Sequence, residues 1–153
     1  MVPFVATPSD VARQMLIQAE LKPGETVYDL GSGDGRMVIM AAREFGAEAV
    51  GIELRKDLVK RALQRVSELH LERKVKIVND DLFNIDTSSA DVVTLYLTTS
   101  ANKKVRPKLE EELDPGTRIV SHNYEMSGWK PYKTIKVQTH QHHTHTIYVY
   151  RRG

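Results

Sequence analysis

The chain has 153 residues, 41% of them hydrophobic and 27% charged, a composition typical of one globular domain and not of a disordered tail. Its 22 Lys and Arg residues against 20 Asp and Glu give a net charge of +2, which provides little long-range attraction to nucleic acid or to acidic membranes. Cysteine is absent, which excludes disulfides, thiolate metal sites and cysteine nucleophiles. With neither a signal-peptide pattern nor an apolar run near ~20 residues, we expect a cytoplasmic protein without a membrane segment.

Helical and strand patterns alternate along the first half of the chain. Apolar residues at helical spacing predict a first helix, with Thr7 as its cap and Pro8 in its first position. The predicted elements are helix 9–21, strand 26–30, helix 36–45, strand 49–53, helix 57–69 and strand 75–79. This strand–helix–strand order favours a parallel sheet covered on both faces.

The second half continues the alternation and then changes character. Strand 91–97, helix 103–113 and strand 117–122 are followed by segments 134–138 and 146–151, in which apolar and polar residues alternate. These two segments predict a hairpin, an antiparallel pair that closes one edge of the sheet. The fold class is therefore α/β, a Rossmann-like, seven-stranded and mostly parallel sheet in a single domain spanning 1–153.

The strongest motif is Asp29-Leu30-Gly31-Ser32-Gly33-Asp34-Gly35, which follows a predicted strand and opens a helix. Glycines at such a place let the backbone turn sharply and approach a ligand closely. Glu53 ends the next predicted strand, about 20 residues further on, where a carboxylate commonly holds a ribose diol. Alone, the loop could also be only a tight turn.

The charge around this loop bears on the ligand. Asp29 and Asp34 flank it and would repel a phosphate, so a pyrophosphate is disfavoured. The chain also lacks Gly-x-x-x-x-Gly-Lys-Ser/Thr, which disfavours ATP. S-adenosylmethionine, a cationic nucleoside with an amine and a sulfonium, fits better. After the third strand, Asp81 is the candidate acceptor for the adenine amino group, and Leu82 would pack on the ring.

Together these motifs resemble a class I S-adenosylmethionine-dependent methyltransferase over nearly the whole chain. The segments that narrow the resemblance are Pro3-Phe4-Val5-Ala6-Thr7-Pro8, Tyr28 to Arg36, Val50-Gly51-Ile52-Glu53, Pro107-Lys108-Leu109-Glu110, Pro115 to His122, and Gly128-Trp129. They are similar to the small archaeal protein-lysine methyltransferases of broad specificity, whose mitochondrial relatives modify lysine on an ATP-synthase subunit.

The resemblance implies a seven-stranded sheet whose last strand is reversed. It divides the domain into an N-terminal segment and helix (1–21), a cofactor-binding core (26–122) and a C-terminal hairpin (133–151). It also implies S-adenosyl-L-methionine as cofactor, with S-adenosyl-L-homocysteine as product. The predicted cofactor-binding residues are Thr7, Asp29, Gly31, Ser32, Gly33, Asp34, Glu53, Leu54, Asp80, Asp81, Leu82 and Tyr96. Because Asp80 and Asp81 are adjacent, either one can be the residue that meets adenine.

Methyl transfer from a sulfonium to an amine is an in-line displacement, in which the protein orients the groups and excludes water. We predict that Tyr96, in the loop after the fourth strand, lies beside the acceptor as the catalytic residue, although it can also simply pack the core edge. The chain lacks Pro-Pro after that strand, a cysteine nucleophile and a double-glutamate loop. These absences disfavour base amino methylation, pyrimidine C5 methylation and arginine methylation.

The histidines and lysines carry weaker signals. His122 lies at the end of the fifth strand. It could act as a base, contact the substrate or be a hydrogen-bonded structural residue, and we favour the structural role. His140, His142, His143 and His145 are predicted to form a solvated hairpin turn and not a functional metal site. The basic run 103–108 is the polar start of a helix, or a patch for an acidic partner.

We therefore predict a protein-lysine N-methyltransferase that acts on exposed lysines of a protein partner, with nucleic acid an unfavoured partner. Two alternatives stay open at this point. One is a methyltransferase acting on a small molecule or RNA, and the other is a non-enzymatic module that binds S-adenosylmethionine. The chain has no spare domain to cover the cleft, which suits a lysine protruding from a macromolecule.

Overall fold

The computed structural model describes residues 4–139 and 142–153. In chain order, the helices and strands are α1 (Ser9–Gln18), β1 (Thr26–Leu30), α2 (Arg36–Phe45), β2 (Glu48–Glu53), α3 (Lys56–Glu68), β3 (Val75–Asn79), β4 (Val92–Leu95), α4 (Thr99–Glu112), β5 (Arg118–His122), β6 (Lys133–Gln138) and β7 (Thr144–Arg151). A short 3₁₀ turn, Leu82–Asn84, follows β3. None of the helices in these described ranges has the length and apolarity needed to cross a bilayer.

The strands form one seven-stranded sheet in the order β3-β2-β1-β4-β5-β7-β6. Neighbours from β3 to β5 pair in parallel, whereas β7 is antiparallel to both β5 and β6. The predicted fold class, the reversed last strand and the antiparallel pair at one edge are thus confirmed. The strand order changes direction between β1 and β4, and ligands of open α/β sheets bind beyond the carboxyl ends of the strands at such a point.

Two hydrophobic clusters cover the two faces of the sheet. Along β4, Val92 packs into the cluster that contains α1 and α2, whereas its neighbour Val93 packs into the cluster that contains α4. Val120 and Ile119 of β5 divide in the same way. This alternation follows from the two-residue period of a strand, and it places helices on both faces as predicted.

A side-chain cap accounts for where α4 begins, whereas α1 begins without one. The Thr98 hydroxyl accepts a hydrogen bond from the Ala101 N–H at 3.1 Å, so α4 begins at Thr99 and not at the predicted residue 103. The prediction that Thr7 caps α1 is wrong. Pro8 occupies the cap position without a side-chain hydrogen bond, and the Thr7 side chain bonds elsewhere.

The basic run 103–108 lies within α4, and two of its charges are paired along the helix. Arg106 Nε lies 3.5 Å from Glu110 Oε1, and Lys108 Nζ lies 2.7 Å from Glu112 Oε2. Pairs four residues apart are neighbours on one helix face. Lys103 and Lys104 stay exposed. The basic patch that the sequence suggests for an acidic partner is therefore reduced by the pairing of Arg106 and Lys108.

Candidate active site

A cleft opens at the carboxyl ends of β1, β2 and β4, at the point where the strand order changes direction. Residues Phe4 to Thr7 form one wall, and the loop after β1, Glu53 and Tyr96 form the others. Its volume is about 220 Å³. The sheet therefore brings together residues from three strands and from the N-terminal segment, as the sequence predicted for Thr7, Asp29, Gly31, Ser32, Asp34, Glu53 and Tyr96.

The loop between β1 and α2 follows a backbone path that requires glycine. Gly31, Gly33 and Gly35 have φ of 91°, 58° and 86°, in the left-handed region that L side chains rarely adopt. The N–H groups of Gly31 and Ser32 both donate to the Ile52 carbonyl, at 2.9 and 2.8 Å, which fastens the loop to the end of β2. A Cβ at Gly33 would collide with the Phe4 ring, so glycine at this position lets the N-terminal segment pack directly on the loop.

Glu53 at the end of β2 is held from both sides. Its Oε1 accepts the Gly33 N–H at 2.7 Å, and its Oε2 accepts the Arg55 N–H at 3.0 Å. Each carboxylate oxygen still has a second lone pair. A neighbouring diol can therefore be bound without breaking the bonds that orient the carboxylate.

Asp29 lies beneath the glycine loop as a buried carboxylate. The Thr94 hydroxyl donates to its Oδ1 at 2.8 Å. Burial raises the pKa of Asp29 to about 7, the hydrogen bond from Thr94 opposes this shift, and the charges of Glu53 and Asp34 add to it. A cationic ligand at this place would relieve that repulsion and stabilise the ionised form.

Asp34 directs both carboxylate oxygens to Arg36, which donates from Nε at 3.1 Å and from Nη2 at 2.8 Å. Burial acts to raise the pKa of Asp34, but the contacts with Arg36 outweigh it and the pKa is lowered. Arg36 Nη1 also donates to the Thr7 carbonyl at 3.3 Å. The charge of Asp34 at the loop is therefore offset by Arg36.

Ser32 provides an unsatisfied polar atom at the same place. The residue is 5% exposed, and its hydroxyl has no hydrogen-bond partner among the residues that the structure describes. A Cβ on Gly51 of β2 would lie 2.7 Å from that hydroxyl, so glycine at position 51 makes room for it. Buried polar groups are normally paired, so this unpaired hydroxyl is an exception within a residue that lines the cleft.

Tyr96 lines the cleft immediately after β4, and the segment after β5 surrounds it. Its ring centroid lies 3.9 Å from that of His122 and 6.1 Å from that of Tyr124, in tilted and stacked arrangements. Burial is the main cause that raises the pKa of Tyr96, and the nearby Tyr124 adds to it. A hydrogen bond with Asn123 opposes the shift. The phenol therefore stays protonated at neutral pH.

His122 is fully buried, and both of its ring nitrogens have partners. Nδ1 lies 3.0 Å from the Thr7 hydroxyl, and Nε2 lies 2.7 Å from Nδ1 of His145 on β7. The prediction of a hydrogen-bonded histidine is confirmed, whereas the prediction that His145 belongs to a solvated turn is wrong. His145 is half-buried because β7 pairs with β5, which brings it to His122.

The remaining predicted cofactor residues lie at the same edge of the sheet but outside the cleft lining. Leu54 follows Glu53 and is 64% exposed. Asp80 Oδ1 accepts from Asn84, and Asp81 Oδ1 accepts from the Phe83 N–H, so each carboxylate also stabilises its own turn. Leu82 packs against the hydrophobic cluster that contains α4.

The hairpin histidines that the structure describes are spread between exposed and half-buried positions. Within residues 4–139 and 142–153, no group of three or more His, Cys, Asp and Glu side chains is placed to hold a metal ion. His142 and His143 are exposed, and His140 lies outside the described residues. The sequence did not indicate three further contacts of the site residues: Thr94 with Asp29, Tyr124 with Tyr96, and His145 with His122. Thr94 and Tyr124 lie near the carboxyl ends of β4 and β5, whereas His145 reaches the site from β7.

The site fits a cationic nucleoside. Gly31 and Ser32 of the glycine loop line the cleft, Glu53 keeps lone pairs for a diol, and Asp29 is a carboxylate that a positive charge would stabilise. With the sheet order and its reversed β7, these features define a class I S-adenosylmethionine-dependent methyltransferase, and S-adenosylmethionine is its cofactor. More narrowly, the chain belongs to the family described as the ANTKMT methyltransferase domain, whose model matches residues 29–133.

Known proteins of this family are similar over most of the chain. A protein-lysine N-methyltransferase of Saccharolobus islandicus (strain REY15A) is 43% identical, covering 99% of this chain and 94% of that protein. The mouse adenine nucleotide translocase lysine N-methyltransferase is 30% identical over 88% of this chain, and this chain spans 58% of that longer protein.

A solved structure agrees with the fold in detail. The crystal structure of an RNA methyltransferase from Salinibacter ruber in complex with S-adenosyl-L-homocysteine has a TM-score of 0.90 and 45% identity, covering 96% of this chain and 93% of that one. The C-terminal domain of precorrin-6Y C5,15-methyltransferase from Rhodobacter capsulatus has a TM-score of 0.80 at 17% identity, a likeness of fold alone.

Proposed function

We propose that this protein is a protein-lysine N-methyltransferase that acts on exposed lysine side chains of a partner protein. The observation that carries the proposal is the 43% identity, over 99% of the chain, to the Saccharolobus protein of that activity. The cleft supports it, because its lining carboxylates Asp29, Asp34 and Glu53 suit a cationic side chain. A cytoplasmic location is part of the proposal and agrees with the absence of cysteine.

The chain's own residues would hold the cofactor in a definite order along the sheet edge. We assign the ribose hydroxyls to Glu53, the cationic amino acid end to Asp29 and Thr7, and the loop contacts to Gly31, Ser32, Gly33 and Asp34. The adenine would lie toward Leu54 and Leu82, with Asp80 or Asp81 accepting its amino group. When bound, S-adenosylmethionine supplies a methyl group on a sulfonium, already activated for displacement.

Tyr96 would stand beside the acceptor amine. Its ring face can attract an ammonium, and its protonated hydroxyl can hydrogen-bond to the neutral amine. Lysine must lose a proton before it attacks, since its ordinary pKa is about 10.4. Burial in the cleft next to a second positive charge lowers that pKa, so the protein's task is to desolvate, align and receive the proton.

RNA is the second candidate acceptor, because the Salinibacter structure is of an RNA methyltransferase at 45% identity. The charges of the cleft favour protein instead. The two arginines that line it, Arg36 and Arg55, each hold a carboxylate partner, Asp34 and Asp57, at 2.8 Å. Arginines engaged in this way offer little to a phosphate backbone, on which RNA and DNA affinity depends.

The deciding experiment offers both acceptors at once. The enzyme is incubated with methyl-labelled S-adenosylmethionine and equal masses of a cell's protein and its RNA, and label is then measured in each fraction and mapped by mass spectrometry. Label on lysine side chains supports the proposal, whereas label in nucleotides with unmodified protein overturns it. The variant Glu53→Ala should abolish labelling of either fraction, while Glu48→Ala, an exposed carboxylate at the far end of β2, should not.

A further inference from the structure

The buried imidazole of His122 connects the cleft with the surface of the C-terminal hairpin. Thr7 lines the cleft, and its hydroxyl oxygen lies 3.0 Å from His122 Nδ1. On the opposite side of the ring, His122 Nε2 lies 2.7 Å from His145 Nδ1, and the half-buried His145 reaches solvent from β7. These contacts form a continuous line of hydrogen-bonding atoms that starts in the cleft and ends at the surface.

His122 is suited to pass a proton on and not to keep one. The groups that face its ring are the Thr7 hydroxyl from the N-terminal segment, Tyr96 from the end of β4 and His145 from β7, and none of the three is negatively charged. Burial, followed by the proximity of His145, lowers the pKa of His122 to about 4. The ring is therefore neutral at pH 7, with one nitrogen protonated and the other an acceptor.

A neutral imidazole between these partners can be hydrogen-bonded in two directions. In the first, Thr7 donates its hydroxyl proton to His122 Nδ1, and His122 Nε2–H donates to His145 Nδ1. In the second, His145 Nδ1–H donates to His122 Nε2, and His122 Nδ1–H donates to the Thr7 oxygen. Changing from the first to the second moves one positive charge along the line, although each proton travels only the length of one hydrogen bond.

We propose that Thr7, His122 and His145 form a proton path that carries the proton lost by the acceptor amine from the cleft to the hairpin surface. This inference rests on the proposed amine acceptor. The ammonium gives a proton to the Thr7 oxygen as the Thr7 hydroxyl proton passes to His122 Nδ1. At the same time the Nε2 proton passes to His145 Nδ1. The products are a neutral amine, a neutral His122 and a His145 imidazolium, which then releases its proton to water.

The same contacts also fasten the N-terminal segment to β5 and β7. The experiment must therefore distinguish a structural role of these residues from a role in proton transfer. Conservative variants do this. Thr7→Ser keeps a hydroxyl, whereas Thr7→Val has the same shape and no exchangeable proton. His145→Gln can still hydrogen-bond to His122 but cannot be protonated, and His143→Gln alters an exposed histidine of the same hairpin as a matched control.

Single-turnover methyl transfer is measured near pH 7 in H₂O and D₂O. We expect His145→Gln and Thr7→Val to slow transfer by about tenfold or more, a modest share of what proton transfer can contribute. The wild-type enzyme should show a solvent isotope effect on transfer, and this effect should be closer to one in the two slowed variants. Added imidazole should restore the rate of His145→Gln. Thr7→Ser, which keeps a hydroxyl, should retain a faster rate than Thr7→Val, and His143→Gln should stay within about twofold of wild type. Wild-type rates for both His145→Gln and Thr7→Val would overturn the proposal.

A second readout does not depend on turnover or on the acceptor. The ¹⁵N NMR spectrum of histidine-labelled protein should show His122 neutral from pH 6 to 8 and hydrogen-bonded through both nitrogens. Loss of the His122–His145 bond in solution would overturn the path even if the protein methylates lysine. Conversely, labelling of RNA in place of protein would refute the proposed function while this spectrum remained as expected.

Discussion

Glu53 and Gly33 are joined by a 2.7 Å hydrogen bond from the backbone N–H of the glycine loop to the carboxylate at the end of β2. The bond crosses from the loop after β1 to the neighbouring strand, so it sets the distance between the two parts of the cofactor site. The Arg55 N–H holds the other carboxylate oxygen at 3.0 Å. Glu53 is thus oriented before any ligand arrives, which reduces the entropy lost on binding.

Replacing Glu53 should therefore weaken the cofactor more than it weakens the fold. For Glu53→Ala we expect the affinity for S-adenosylmethionine and S-adenosylhomocysteine to fall by about 1–3 kcal/mol, the cost of leaving buried polar groups unpaired. Isothermal titration calorimetry measures this directly. Glu48→Ala, at the exposed start of the same strand, is the control, and equal affinity in both variants would remove Glu53 from the site.

Asp29 should couple cofactor binding to the release of a proton. Its pKa in the free protein is raised to about 7, chiefly by burial, and a cationic ligand favours the ionised form. Affinity should therefore rise as the pH approaches 7 from below, and calorimetry in buffers of different ionisation enthalpy should detect the released proton. Asp29→Asn should abolish that release. Thr94→Val, which removes the hydrogen bond that lowers this pKa, should extend the release to higher pH.

The raised pKa of Asp29 also predicts how the free energy of unfolding depends on pH. Between the ordinary pKa of 3.8 and about 7, folded protein keeps a proton on Asp29 that the unfolded chain has lost. The resulting stabilisation is present at low pH and declines as the pH rises through about 7, where an ionised carboxylate must stay buried. Denaturant titrations of wild type and Asp29→Asn should diverge across that range, and parallel curves would contradict the assigned pKa.

Gly51 should be required for the glycine loop although it lies on the next strand. In Gly51→Ala the new Cβ would lie 2.7 Å from the Ser32 hydroxyl and 3.3 Å from Ile77 Cδ1, which forces the loop outward. We expect a loss of about 1–3 kcal/mol in the free energy of unfolding, together with weaker cofactor binding. Adding Ser32→Gly should restore the unfolding free energy, and an unchanged single variant would show that the loop tolerates the displacement.

Tyr96 should affect turnover more than cofactor affinity. Tyr96→Phe keeps the ring on His122 but loses the hydroxyl, so we expect kcat to fall by about 2- to 10-fold, the weight of one hydrogen bond. Affinity for S-adenosylhomocysteine should change little. Tyr132→Phe, which alters an exposed tyrosine at the start of the hairpin, serves as the control. A wild-type kcat for Tyr96→Phe would show that the hydroxyl does not contribute to turnover and would leave a role for the ring alone.

Most of the fold could be predicted from the sequence because its signals are local. Strands 26–30 and 75–79 and helix 36–45 have the predicted bounds, since apolar periods and glycines mark their ends. The start of α4 was placed too late because the Thr98 cap and an interior proline at 107 make the boundary ambiguous. The hairpin was predicted, but its pairing partner β5 depends on tertiary contacts.

The site could be predicted where one motif carries it and not where distant segments meet. Asp29, Gly33 and Glu53 follow from a strand–loop–helix pattern. The bond between Thr7 and His122 joins residues separated by 115 positions, and no local pattern indicates it. A threonine before a proline and a helix suggests a cap, and histidines near a turn suggest solvent, so local reasoning favoured the wrong surroundings for Thr7 and His145.

A crystal structure of the enzyme with S-adenosylhomocysteine and a lysine-containing peptide tests the central claim most directly. We predict that the ribose hydroxyls contact Glu53, that the nucleoside's amino acid end points toward Asp29, and that the lysine Nζ lies beside Tyr96. A nucleoside bound away from the glycine loop, or a lysine Nζ approaching from a side of the cleft remote from Tyr96, would contradict this account.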